Sequence, residues 1–483
     1  MSASTTALGI VALVIACAAG VGLLAVRRMR MTPEQYIVGG RSFGSLLLWF
    51  LMAGEIYTSF TFLGAAGWAY GKGAPAFYIL CYGPVAYALS YFIAPLIWRA
   101  GKDRGFLTGA DFFESQYGSK RLGSLVALVG VIFLIPYVTL QLSGLQILLS
   151  IAGYGTIDAR LAVGFAFALI TAFVFVAGLR GTAWASVVKD ALVLGAVIVA
   201  GLIIPAHFYH SPAAVISGVL ARRPQWFVLA PGFAPSGVAW FVSTVVLSAL
   251  GFYMWPQSFA AVFSAKSGDA LRRNAVFLPF YQLMLLLVYF AGFTALLVVP
   301  GLKNPDESFL VVLQRFYPPW VLGLIAGAGY LAALVPVTAQ LLAAASLVTK
   351  NLLGGLREAS TSAQTAWTRW VVAIVASLAL GFWLLRPPTL VELLLLGYNG
   401  VTQFFPGVIF ALTWRRASAA GVGGGILAGI ATLIVAAVKG GASSIAGINT
   451  GLIALAVNAT LCVVLSLIRP ARARAAKEVA PAG

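Results

Sequence analysis

Glu55 is a carboxylate in the middle of an apolar stretch. That stretch, Ser42 to Gly71, is long enough to cross a bilayer, for which about 20 residues suffice. Around the carboxylate run Gly54, Ile56, Tyr57, Thr58 and Ser59, so a glycine and three hydroxyl side chains fall near the expected midplane. Ionised groups at that depth cost about 3 kcal/mol on insertion scales unless a cavity or partner receives them. Irregular backbone is tolerated there only where it lines a cavity. The stretch reads as a broken helix carrying a site.

A second interruption lies in Trp240 to Ser264, where Gly251, Phe252, Tyr253, Met254, Trp255, Pro256 and Gln257 fall at the centre of another apolar run. Pro256 has no N–H and clashes with the preceding turn, so a kink or break follows. Taken alone, an ordinary proline kink accounts for it. Taken with the first interruption, it forms a pair of spans five apart that cross in opposite directions. That is the pattern of inverted five-helix repeats with a midplane site. A small carboxylate needs positive helix ends and hydrogen-bond donors, which broken helices supply. Gly54, Tyr57, Thr58 and Ser59 suit one wall of such a cavity, and Phe252, Tyr253, Trp255 and Gln257 the other. Tyr137 and Gln141, one turn apart beside Pro136, complete it. Plain helix packing is the alternative role for each aromatic ring.

The elements that must position these groups follow from composition. Of 483 residues, 61% are hydrophobic and 9% charged, with mean hydropathy +0.97. Soluble chains are about a quarter charged. The apolar runs are continuous rather than alternating, which selects helical spans over a β-barrel. Thirteen spans are expected, near 5–26, 43–70, 75–98, 122–152, 160–178, 187–207, 237–263, 275–299, 319–348, 369–385, 390–414, 418–438 and 447–468. They group as a first helix and linker (1–41), a first repeat (42–207), an external loop (208–236), a second repeat (237–414) and two further spans with a tail (415–483).

The net charge of +18 is a topological signal rather than a nucleic-acid footprint. With the N-terminus outside, eight basic residues fall in outer loops: Lys72, Arg160, Arg222, Arg223, Lys303, Arg315, Arg386 and Lys439. The other 23 of the 31 lie inside, among them Arg27, Arg28, Arg30, Arg104, Arg121, Arg180, Arg272, Arg273, Arg415 and Arg474. This asymmetry follows the positive-inside rule and puts the C-terminus in the cytoplasm. Basic residues follow the first apolar run instead of preceding it, which argues for a retained span over a cleaved signal. Cys17, Cys81 and Cys462 lie in apolar runs at no metal-ligand spacing and read as small buried hydrophobes.

Two segments read as non-spanning. Phe106 to Tyr117, with Thr108 or Asp111 as N-cap and Phe112 and Phe113 as apolar face, reads as a short interfacial helix. The external loop carries His207 and His210 without a third ligand, a solvated pair in preference to a metal site. No P-loop, metal constellation or nucleophile–base pair is present, so the chain reads as a transporter and not an enzyme. It needs no cofactor, and uphill transport would draw on an ion gradient.

The following residues carry a family resemblance: Gly54 to Thr58 (GEIYT), Phe62 to Gly64 (FLG), Gly67 to Gly73 (GWAYGKG), Asp111 to Phe113 (DFF), Ile135 to Tyr137 (IPY) and Gln141 to Gly144 (QLSG). With them stand Trp255-Pro256, Ala265 to Ser267 (AKS), Arg272 to Asn274 (RRN) and Ala333 to Pro336 (ALVP). In combination, from about Arg41 to Leu353, they resemble the sodium/solute symporter family in its bacterial monocarboxylate permease branch. The resemblance implies an all-α, leucine-transporter-like 5+5 core of thirteen spans and coupled uptake of small solutes.

It also implies an ion route. Asp190, at the start of span six, resembles the aspartate that family members carry near the sodium path, although Lys189 beside it favours an interfacial structural role equally. Sodium-coupled relatives carry two adjacent hydroxyl residues on span nine. Here those positions are Val335 and Pro336, with Thr338, Ser346 and Thr349 nearby. The coupling ion is therefore Na+ or H+, with Glu55 as the alternative carrier of a proton. Glu55 must be protonated, ion-paired or cation-bound during a cycle that carries an anion; a purely structural hydrogen bond to the broken helix is the competing role. The expected activity is cation-coupled uptake of short monocarboxylates (pyruvate, lactate or acetate) across the cytoplasmic membrane, with the bilayer as partner and one chain as the functional unit. A symporter of a zwitterion such as proline or alanine is the alternative, and a transporter-like solute sensor a remote one.

Overall fold

A computed structural model describes residues 2–27, 32–354, 361–385 and 389–470. Arg28, Arg30, Arg386 and Arg474, used above to orient the chain, lie outside the described residues. Among the described residues, ten helices are long and apolar enough to cross a membrane, or eleven if the bent pair Val238–Gly251 and Pro256–Ser264 counts as one span.

That number differs from thirteen at identifiable places. Spans expected at 160–178 and 187–207 form one helical stretch, Ala159–Tyr209, of 51 residues. At 1.5 Å per residue this is about 75 Å, far beyond one bilayer crossing. It turns at Gly178, whose φ of +55° and ψ of −171° are open to glycine at little cost. Span two is not a continuous helix at all: Ser45–Gly54 stops, and helical turns resume only with Phe60–Gly64 and Ala65–Gly71.

The helix Pro319–Ser346 forms the centre, with nearly every residue from Leu322 to Ser346 buried. Ala3–Leu24 packs along it through Gly323 and Gly327. A Cβ at Gly323 would stand 2.7 Å from the Ala7 carbonyl, and one at Gly327 3.0 Å from Val14. Small residues at this spacing let backbones approach where lipid offers no hydrophobic drive between helices. Helices at the periphery face lipid, which corrects one expectation. Cys17 and Cys81 are exposed and only Cys462 is buried, because the solvent around an outer helix is itself apolar.

Three junctions fasten the ends of the interrupted spans. Before span two, Phe43 pairs with Ala265 at the end of the second interrupted span: Phe43 N–H donates to Ser264 O at 3.1 Å, and Lys266 N–H donates to Phe43 O at 2.9 Å. Gly109–Tyr117 is capped by Thr108, whose side chain accepts from Asp111 N–H. Phe112 and Phe113 are fully buried, so this helix is wedged inside the protein instead of floating at the interface. Its Asp111 carboxylate accepts from Lys350 Nζ at 2.6 Å and from Asn351 Nδ2 at 3.0 Å, which ties it to the end of the central helix.

At the other end, Asp306 lies in the short turn Pro305–Glu307 between the helices Leu285–Val298 and Ser308–Phe316. Its Oδ2 accepts from Leu390 N–H at 3.0 Å, and a Cβ at Gly67 would collide with its carboxyl. Burial pushes this carboxyl up to about 6, aided by Glu392 and Glu307 and opposed by the Leu390 hydrogen bond.

Candidate solute and ion site

The interruption in span two is held open by its own side chains. Thr61 Oγ1 donates to Ile56 O at 2.7 Å and accepts from Thr58 N–H at 2.9 Å, while Phe60 N–H donates to Thr58 Oγ1 at 3.2 Å. Hydroxyl residues thus take over backbone groups that a helix would pair internally. Ser59 N–H turns outward to Gln141 Oε1 at 3.2 Å. Gly144, one turn further along the same helix, is pressed against the Ser59 side chain with no room for a Cβ.

The second interruption, Phe252 to Trp255, separates helices bent by 46°. Pro256 begins the following helix, where its missing N–H is no loss. Gln257 then faces Glu55, its Nε2 donating to Oε2 at 3.3 Å. Trp255 packs on Tyr137, with ring centroids 4.7 Å apart, and on Tyr398 at 5.2 Å. Tyr137 in turn stands within electrostatic reach of Glu55 and beside Thr58. Glu55 is partly exposed, whereas Thr58, Ser59, Gln141 and Gln257 are buried.

The structure therefore brings together Glu55, Tyr57, Thr58, Ser59, Tyr137, Gln141, Trp255 and Gln257, with Gly54 closing the helix before them. Phe252 and Tyr253 turn elsewhere. Phe252 meets Tyr82 and Tyr87, and Tyr253 lines a small cavity against Ala86 and Ser90. Thr338 is also apart: its hydroxyl donates to Leu334 O in its own helix at 2.7 Å. Val335 packs with Phe173, Ala177 and Ala185, and neither it nor Pro336 has a side-chain oxygen to offer.

Lys189 is the largest departure from expectation. It is not interfacial; its side chain is fully buried, with Nζ 2.7 Å from Asp190 Oδ1 and 3.4 Å from Tyr57 O. Asp190 Oδ1 also accepts from Tyr281 OH at 3.1 Å. Tyr281 meets Tyr57 edge to face, ring centroids 4.7 Å apart, so the Lys189–Asp190 pair is joined to the interruption from two sides. Sequence reading missed Tyr281 and Tyr398. Neither lies in a motif of its own, and each reaches the site only through tertiary packing.

With this geometry in view, comparison with known proteins is decisive at the level of family. Residues 36–429 match the model of the sodium:solute symporter family. The chain belongs to that family. It is 40% identical to the uncharacterized symporter YhjB of Bacillus subtilis, over 95% of this chain and 96% of that one. A monocarboxylate transport permease protein of Rhizobium johnstonii is 29% identical over 91% of each chain. A sodium/proline symporter of Haemophilus influenzae is 24% identical, covering 83% of this chain and 82% of that one. Among solved structures, a Na+-coupled sialic acid symporter in a substrate-bound outward-open state superposes with TM-score 0.81 at 16% identity, over 98% and 99% of the two chains. The fold is thus the leucine-transporter-like one, and the protein is a multi-pass membrane transporter, not an enzyme.

Proposed function

We propose that this symporter imports small monocarboxylates of the pyruvate, lactate or acetate type, coupled to a monovalent cation, by alternating access across the cytoplasmic membrane. The observation that carries the reading is a pair of buried donors at the interruption. Ser59 Oγ and Gln141 Nε2 have no hydrogen-bond partner among the described residues, and the two residues touch through Ser59 N–H and Gln141 Oε1. Unpaired buried donors cost about 1–3 kcal/mol each. A substrate carboxylate, which only accepts, satisfies both. The relative named as a monocarboxylate permease matches along nearly the whole chain, which supports the same substrate class.

Residues 42–207 and 237–414 act as the two repeats, rocking about the Glu55–Gln257 contact, with the N-terminus outside and the C-terminus in the cytoplasm. A zwitterionic amino acid is the competing substrate. Glu55 favours it, since this partly exposed carboxylate would meet a substrate ammonium directly.

Uptake of labelled pyruvate and labelled proline into proteoliposomes, with sodium and pH gradients imposed separately, tests the reading. Saturable pyruvate accumulation is expected. Proline uptake without pyruvate uptake would overturn it.

A further inference from the structure

The Lys189 ammonium lies where oxygen ligands converge. On one side is the Tyr57 main-chain carbonyl, freed from helical pairing by the interruption in span two, at 3.4 Å. On another is Asp190 Oδ1 at 2.7 Å. Gly54 lies against it: a Cβ built there would stand 3.4 Å from both Nζ and Ser186 Oγ. Glu55 is within electrostatic reach as well. A freed carbonyl and a carboxylate between a broken helix and its neighbour form a receptor for a hard monovalent cation.

A free sodium ion does not fit this donor set. Val335 and Pro336 bring no side-chain oxygen. Most directly, a lysine already delivers one positive charge to the same two oxygens, and a second cation beside it would be repelled.

We propose that Lys189 is a built-in cation: its ammonium takes the place between the interrupted span and the helix Ala159–Ile198 that a free monovalent ion would otherwise occupy, so this position binds no sodium. The proposal deepens the transport reading above and rests on it only for the claim that the interruption is the solute site. Its immediate consequence concerns the ion alone. The helix break in span two is kept apart by a charge tethered to the protein, and the Tyr57 carbonyl and Asp190 never need an ion from solution.

The test reads sodium binding directly and does not depend on the substrate. Purified full-length protein in nanodiscs is compared with Lys189→Ala in a radioactive-sodium binding assay, and the melting temperature of each is followed in sodium, methylammonium and choline chloride. Lys189→Ala is expected to bind one more sodium ion per chain than the unmodified protein. Its melting temperature should fall in choline and recover in sodium or methylammonium, whereas that of the unmodified protein should be the same in sodium and choline. Equal or reduced sodium binding in the variant overturns the proposal. Should Lys189→Ala fail to fold, Lys189→Met serves as the second variant under the same criteria, and sodium binding by the unmodified protein that is competed by methylammonium also overturns it. Absence of pyruvate transport with the expected sodium result would sink the transport reading and leave the built-in cation standing.

Discussion

Gln257 holds the Glu55 carboxylate across the gap between the two interrupted spans, Nε2 to Oε2 at 3.3 Å. This is a direct side-chain link between the centres of the two repeats. It makes the position of one break depend on the other, which is what a shared site between two moving halves requires. Hydrogen bonds to charged groups contribute about 1.5–3 kcal/mol. Gln257→Ala is therefore expected to weaken apparent solute affinity by roughly 10- to 100-fold. A binding isotherm in detergent measures it, and an unchanged isotherm would remove Gln257 from the site.

Glu55→Gln keeps the size of the side chain and its capacity to accept from Gln257 while deleting the charge. If Glu55 couples charge to transport, gradient-driven accumulation should be abolished while counterflow exchange at equilibrium persists. Both are read in the same proteoliposomes. Gradient-driven uptake at the level of the unmodified protein would assign Glu55 a structural role only.

Trp255 sits between Tyr137 and Tyr398, with ring centroids 4.7 and 5.2 Å away, and is 3% exposed. Truncating a buried aromatic of this kind costs about 3–5 kcal/mol. Trp255→Ala should lower the melting temperature strongly, whereas Trp255→Phe should retain the fold and raise KM for the solute. A Phe variant with unaltered KM would mean that the indole packs the wall without touching the solute.

Asp306 gives a pH dependence with a defined sign. Its folded carboxyl keeps the proton up to about pH 6, whereas an unfolded aspartate releases it near 4, roughly. Between those values the folded state binds more protons, so stability falls as pH rises from about 4 to about 6 and is level above that. A shift of this size corresponds to about 3 kcal/mol. Asp306→Asn preserves an acceptor for Leu390 N–H and removes the titration. Thermal unfolding at acid and neutral pH should show the unmodified protein losing more stability than the variant on going to neutral pH. Parallel pH profiles for the two proteins would contradict the assignment.

The breaks themselves were legible because each carries a local signal: a glycine, a carboxylate and three hydroxyl side chains from Gly54 to Ser59 inside an apolar run, and the missing N–H of Pro256. Tyr137 and Gln141 stand out by their one-turn spacing beside Pro136, whereas the Ser59 N–H bond to Gln141 needs the tertiary structure. Phe252 and Tyr253 face Tyr82, Tyr87 and Ala86 because a broken backbone no longer obeys helical periodicity, so neighbours in sequence face different ways. Lys189 was read as interfacial on the assumption that a new span begins at 187. The helix instead turns at Gly178 and runs on, which carries residue 189 inside the protein, beside a carbonyl that only the break in a distant helix exposes. Phe112 and Phe113 show the same limit: an apolar helix face is visible in sequence, but whether lipid or protein covers it is decided by tertiary packing.

The bridge between Phe43 and Ala265 is built wholly from main-chain atoms. Two such hydrogen bonds contribute about 2 kcal/mol together, enough to bias a two-state equilibrium by roughly thirty to one. A clasp of that strength ties the start of one interrupted span to the end of the other, yet thermal motion releases it many times a second. Because no side chain takes part, it is indifferent to residue identity. Proline at 43 or 266, which removes an amide hydrogen, is the exception. A hinge of this kind can persist while the sequence around it drifts.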